Sequence, residues 1–139
     1  MGVEWGMFDR VMHWLEAEPT SEDDGFSSST VRLCVASLFY HLIAADGEVK
    51  LSEQQRMRSL LQTRFGLSDE TVNRLEKEAE ESDESTAGLF PFAVILNREL
   101  DQSERERVVE QLRSLALADG VLHPRESSVI DHVKQLLKL

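Results

Sequence analysis

Two nine-residue stretches constrain this chain more than any other feature. Residues 45–53 read Ala-Asp-Gly-Glu-Val-Lys-Leu-Ser-Glu, and residues 118–126 read Ala-Asp-Gly-Val-Leu-His-Pro-Arg-Glu. Ala45 matches Ala118, Asp46 matches Asp119, Gly47 matches Gly120 and Glu53 matches Glu126, each at the same offset of 73. The apolar positions follow the same register: Val49 with Leu122, Leu42 with Leu115, Met57 with Ile130 and Leu60 with Val133. A glycine directly after an apolar helical run suits a left-handed helix cap, because it has no β-carbon to clash. A glutamate in the first turn of the next helix meets the positive end of that helix's dipole. Each copy therefore predicts a helix, an Asp-Gly turn and a second helix. Two such hairpins in one small domain predict a pseudo-symmetric pair.

The rest of the chain is helical in pattern too. Val3, Met7, Val11, Trp14 and Leu15 fall at helical spacing, which predicts a short amphipathic helix over residues 3–17. Residues 18–29 are polar and rich in turn formers, and read as a flexible linker. Residues 30–45 are apolar on nearly every face, with Thr30 as a candidate N-cap, so they predict a central helix. Helices follow over residues 52–65, stopped by Gly66, and from Ser68 to about Glu81, before a polar break at residues 82–85. A further helix runs from about Thr86 to Arg98 with Pro91 in its first turns, where a missing amide costs little. Asp101 and Glu104 form a capping box for a helix reaching Ala118, and Pro124 opens the last one, to about Leu137. No segment alternates with a two-residue period. The expected fold is all-α, about seven helices in a compact bundle. Residues 1–29 form an N-terminal helix and acidic linker, and residues 30–139 the helical domain.

Composition narrows the functional classes. The formal charge is −11 and the pI about 4.8. Phosphate recognition needs clustered Lys and Arg, so nucleic acid and anionic membrane surfaces are poor partners. No run of about 18 apolar residues is present, so no integral membrane association is expected. The first 17 residues lack the basic start of a signal peptide, and a cytoplasmic location follows by default. The single cysteine, Cys34, lies in the apolar run and reads as a buried, inert thiol. His13, His41, His123 and His132 show no zinc-ligand spacing; His41 reads as a core or supporting residue, and His123 and His132 as surface residues. No phosphate loop or nucleophile elbow is present, and no enzyme activity is expected.

The acidic loop residues are the candidate chemistry. Helix termination accounts for the glycines and helix initiation largely accounts for Glu53 and Glu126. Asp46 and Asp119 fit least well, since each follows a helix C-terminus and adds negative charge beside exposed carbonyls. Three explanations compete: an Asx turn, an ion pair with Lys or Arg from another helix, or a share in a cation site. An ordinary EF-hand fits poorly, because its position 1 and position 3 ligands would be Leu42 and Ala44, or Leu115 and Leu117. If the two loops meet, however, Asp46, Glu53, Asp119 and Glu126 form an all-oxygen cluster of the kind that takes Ca²⁺ or Mg²⁺.

The doubled Ala-Asp-Gly-x-[Val/Leu]-x-x-x-Glu loop resembles the tellurite-resistance TerB-like family over about residues 31–137. Met7-Phe-Asp-Arg and Val94-Ile-Leu-Asn-Arg-Glu-Leu100 are similar to an uncharacterised bacterial branch of it. The resemblance implies a small all-helical domain without established enzymatic activity, and a metal role for Asp46, Glu53, Asp119 and Glu126. The second loop departs from the first at Val121, which stands where the first has Glu48. The expectation is a non-enzymatic cytoplasmic protein that binds a divalent cation, in a stress-response setting. The alternative is a protein-interaction module with purely structural loops, whose surface is the N-terminal helix bearing Trp5 and Trp14. An unidentified protein partner and a weak homodimer both stay open.

Overall fold

The computed structural model describes residues 24–45, 47–85 and 88–139, the side chains of residues 24–28, 84 and 85 excepted. Among them lie six helices and no strand: α1 (Asp24–Ile43), α2 (Leu51–Phe65), α3 (Asp69–Ser85), α4 (Phe90–Glu99), α5 (Gln102–Ala116) and α6 (Pro124–Leu136). The fold is all-α. The amphipathic helix expected over residues 3–17 lies outside the described residues, as does Asp46.

Helix α1 is the centre of the bundle and packs on all five of the others. The reason is visible in its sequence. Leu33, Cys34, Val35, Ala36, Leu38, Phe39, Leu42 and Ile43 leave no polar stripe, and all eight are fully buried. A helix apolar all round is stable only when neighbours cover every face. Burial pushes the Cys34 thiol far above its usual range, which keeps it protonated and unreactive. The surrounding helices are one-sided. In α3 the buried residues are Val72, Leu75, Ala79 and Ser82, a single helical stripe. Met57 and Leu61 of α2, Val108, Leu112 and Leu115 of α5, and Ile130 and Val133 of α6 complete the core. No helix among the described residues is long and apolar enough to cross a membrane.

The ends of the helices follow local chemistry. Gly66 closes α2 in the left-handed conformation, its N–H donating to the Gln62 carbonyl at 2.8 Å. Ser68 Oγ accepts from the Thr71 N–H at 3.2 Å and starts α3. The Asp101–Glu104 capping box is closed in both directions, at 2.8 and 3.0 Å.

Three boundaries differ from expectation. Helix α1 begins at Asp24, so residues 24–29 are helical rather than linker and Thr30 is a buried interior residue instead of an N-cap. Once a helix is nucleated by its apolar part, extending it through polar residues costs little. Residues 82–85 continue α3 instead of breaking it. Ser82 is buried against Ser37 of α1 at 3.4 Å, and Asp83 Oδ1 lies 2.7 Å from His41 Nδ1. These contacts hold a turn that local propensity alone would leave open. Helix α4 starts at Phe90, not Thr86, behind Gly88 at φ +94° and with Pro91 in its first turn.

Candidate functional site

The two Asp-Gly loops carry the same backbone hydrogen bonds, 73 residues apart. Gly47 N–H donates to the Ala44 carbonyl at 3.0 Å and Gly120 N–H to the Leu117 carbonyl at 2.8 Å. Ala45 donates to Leu42 at 3.2 Å, and Ala118 to Leu115 at 3.1 Å. Gly47 and Gly120 sit at φ +84° and +88°, where an L side chain is strained. Each loop then runs through an extended residue, Lys50 or His123, into the next helix. Glu53 and Glu126 are consequently the third residues of α2 and α6.

The loops also meet side chain to side chain. Lys50 of the first loop reaches the second, its Nζ donating to Asp119 Oδ2 at 3.3 Å. His123 Nε2 lies 3.1 Å from the same oxygen and 3.2 Å from Lys50 Nζ. In one tautomer His123 donates to the carboxylate; in the other it accepts from the ammonium. The other oxygen of Asp119, Oδ1, accepts from the Val121 N–H at 3.1 Å, an Asx turn. The His123 hydrogen bond, the Val121 amide and the Lys50 ammonium hold the Asp119 carboxyl down to about 2. Turn formation and an ion pair across the loops thus both account for Asp119. His123 is half-buried and engaged in this cluster, not a plain surface residue.

The glutamates present the opposite case. Glu53 is 0% exposed and Glu126 1%. Glu126 has a local role, accepting from the His123 N–H through Oε1 at 3.4 Å. Neither oxygen of Glu53 makes a hydrogen bond of ordinary geometry among the described residues, although the Glu126 carboxyl and the Lys50 N–H stand nearby. Burial comes first, and the Glu126 carboxyl, close enough to share a hydrogen bond, second, in pushing the Glu53 carboxyl up to about 8; the Lys50 backbone N–H and its ammonium oppose them only in part. A carboxylate deprived of water and of donors is costly, so near neutral pH this group keeps its proton. Helix initiation therefore does not exhaust these residues. The weight placed on the aspartates moves to Glu53 and Glu126, because burial between two loops is not a local property of sequence.

The four candidate ligands divide accordingly. Glu53 and Glu126 come together. Asp119 belongs to the adjoining Lys50–His123 cluster, and Asp46 lies outside the described residues. Among the described residues no three His, Cys, Asp or Glu side chains converge as a ready metal site. The orphaned oxygens of Glu53, facing a second carboxyl, nevertheless suit a hard cation, which prefers oxygen donors and would replace the proton. Sequence alone does not single out Lys50 and places His123 among surface residues, although the two stand 73 residues apart; their unlike side chains hide the match. His41 is half-exposed and paired with Asp83 beside Ala44, Ala45 and Arg125.

Comparison with known proteins bears on the same residues. Neither a curated protein nor a solved structure matches the chain. The family model described as tellurite resistance protein TerB matches residues 32–139, most of the chain and all of both loops. By that match, and by its all-helical fold, the chain belongs to the TerB family.

Proposed function

We propose that this TerB-family protein is a non-enzymatic, cytoplasmic binder of a divalent cation, Ca²⁺ or Mg²⁺, held between its two Asp-Gly loops. The observation that carries this reading is the pair of unpartnered, fully buried oxygens of Glu53 beside the Glu126 carboxyl. Glu53 and Glu126 would hold the ion at the centre. Asp119 would join once Lys50 releases it, and Asp46 would complete the set from the first loop. Bound there, the cation supplies charge neutralisation and a brace between α2 and α6, with a stress-response role following from the family resemblance alone.

Melting the wild type in chelator and in millimolar Ca²⁺ or Mg²⁺ tests the reading. A cation-dependent rise in Tm is expected in the wild type, lost in Glu53→Gln and reduced in Asp119→Asn. No response to either cation sinks it.

A second reading is favoured by the full engagement of Asp119 in the Asx turn and the Lys50 pair. On that reading the loops are structural, and the exposed Leu117, Val121 and Leu122 beside them form a protein-docking face. It predicts that Leu122→Asp abolishes partner capture while the metal response is nil throughout.

A further inference from the structure

Lys50 is the loop residue that its own helix explains least. It stands at the N-cap of α2, where its side chain makes no cap hydrogen bond. Ser, Thr, Asp and Asn serve that position, and a cation there meets the positive end of the helix dipole. The compensation lies across the loops. The ammonium donates to Asp119 Oδ2 at 3.3 Å and stands 3.2 Å from His123 Nε2. Its charge also acts on the Glu53 carboxyl. A compact positive charge on a flexible four-carbon stem therefore sits among the oxygens proposed above to hold a cation. Its side chain is 27% exposed, so a way out to water is open.

A tethered charge in that place bears on which ions enter. Na⁺ or K⁺ replacing the ammonium exchanges one unit charge for another and gains little Coulomb energy. It also gives up the hydrogen bonds that Lys50 makes in the cluster. Ca²⁺ or Mg²⁺ brings twice the charge to the same hard oxygens. Asp119 Oδ1 stays on the Val121 N–H throughout, so the carboxylate keeps its aim while Oδ2 changes partner.

We propose that Lys50 is the selectivity residue of the cation site: its tethered ammonium holds Asp119 against monovalent ions and yields it to a divalent one. This rests on the cation reading above and adds which ions the loops admit.

Acetylation footprinting reads the exchange in the unaltered full chain. Brief acetylation and mass spectrometry compare Lys50 with Lys138, an exposed lysine at the far end of α6. The protein is held in chelator, in millimolar Ca²⁺ or Mg²⁺, or in Na⁺ or K⁺, with ionic strength matched by tetramethylammonium chloride so that screening is constant. Relative to Lys138, Lys50 should react several-fold faster with the divalent ion and at an unchanged rate with Na⁺ or K⁺. Calorimetry on Lys50→Met, checked for folding by circular dichroism, is the second arm. That variant should bind Ca²⁺ roughly tenfold or more tightly than wild type, as loss of one competing charge near contact implies. Its binding should weaken when Na⁺ replaces tetramethylammonium, while that of the wild type stays the same. The footprint needs no variant, so it decides even where Lys50→Met does not fold. Divalent binding by the wild type with no rise in Lys50 reactivity overturns the proposal and leaves the cation reading standing. So does Na⁺ competition as strong in the wild type as in Lys50→Met. Binding by Lys50→Met alone also overturns it, because Lys50 then shuts out divalent ions too. Absence of binding in both proteins removes the cation reading and this proposal with it.

Discussion

Replacing Glu53 by glutamine should stabilise the cation-free protein, and increasingly so as the pH rises. The carboxyl is fully buried, and its titration is displaced from an ordinary 4.5 to about 8. The sign follows from proton counting. Between these values the folded chain holds a proton that the unfolded chain has released, so stability falls as the pH climbs. Below about 4.5 both states are protonated and Glu53 costs nothing by this route. Above about 8 the folded state carries the full cost of a charged, buried, unpartnered carboxylate. At 1.36 kcal/mol per pH unit, the displacement sets a ceiling of about 5 kcal/mol. Glutamine has the same shape and no charge to desolvate. Urea denaturation in chelator, from about pH 5 to about pH 9, should show the stability gap between Glu53→Gln and wild type widening by up to about 1.4 kcal/mol per pH unit. The gap should level off past pH 8. A gap that stays constant across the range refutes the argument, because it means the Glu53 carboxyl is as well solvated or paired in the folded chain as in the unfolded one.

Other substitutions probe the surrounding parts. Asp119 is depressed to about 2, so the stability it contributes is present above its ordinary 3.8 and lost as the pH falls toward 2; the Tm deficit of Asp119→Asn at neutral pH should vanish in strong acid. Gly120→Ala should cost about 1–2 kcal/mol in denaturant unfolding, since φ is +88° and nothing lies near an added β-carbon, which leaves backbone strain as the only term. Asp101→Ala opens the capping box of α5 and should cost roughly 0.5–2 kcal/mol by the same assay.

Much of the fold was legible because its causes are local. The all-round apolar run from Leu33 to Ile43 has one stable solution, a helix enclosed by others. Gly66 and the Asp101–Glu104 box act within a single turn, so their boundaries hold. The break expected at residues 82–85 fails because of partners far along the chain: nothing there announces that Ser82 meets Ser37 or that Asp83 meets His41. The site shows the same divide. The offset of 73 picks out both loops and all four acidic residues. It cannot rank them, since a glutamate in the first turn of a helix looks like a capping residue whether it faces water or an opposing loop. Asp119, locally the anomaly, is accounted for by Val121 next to it and by Lys50 across the loops. Glu53, locally the ordinary residue, is the one left buried without a hydrogen bond of ordinary geometry.

If Glu53 and Glu126 hold a cation in place of a proton, binding and proton release occur together. Calorimetric titration of the full chain with Ca²⁺ and with Mg²⁺, run near neutral pH in two buffers of different ionisation enthalpy, reads the binding and the protons released together. Saturable binding is expected that releases about one proton per cation, as ligands that must deprotonate do, with both signals lost in Glu53→Gln. Absence of binding at millimolar cation, or binding that releases no proton and survives Glu53→Gln, would contradict it.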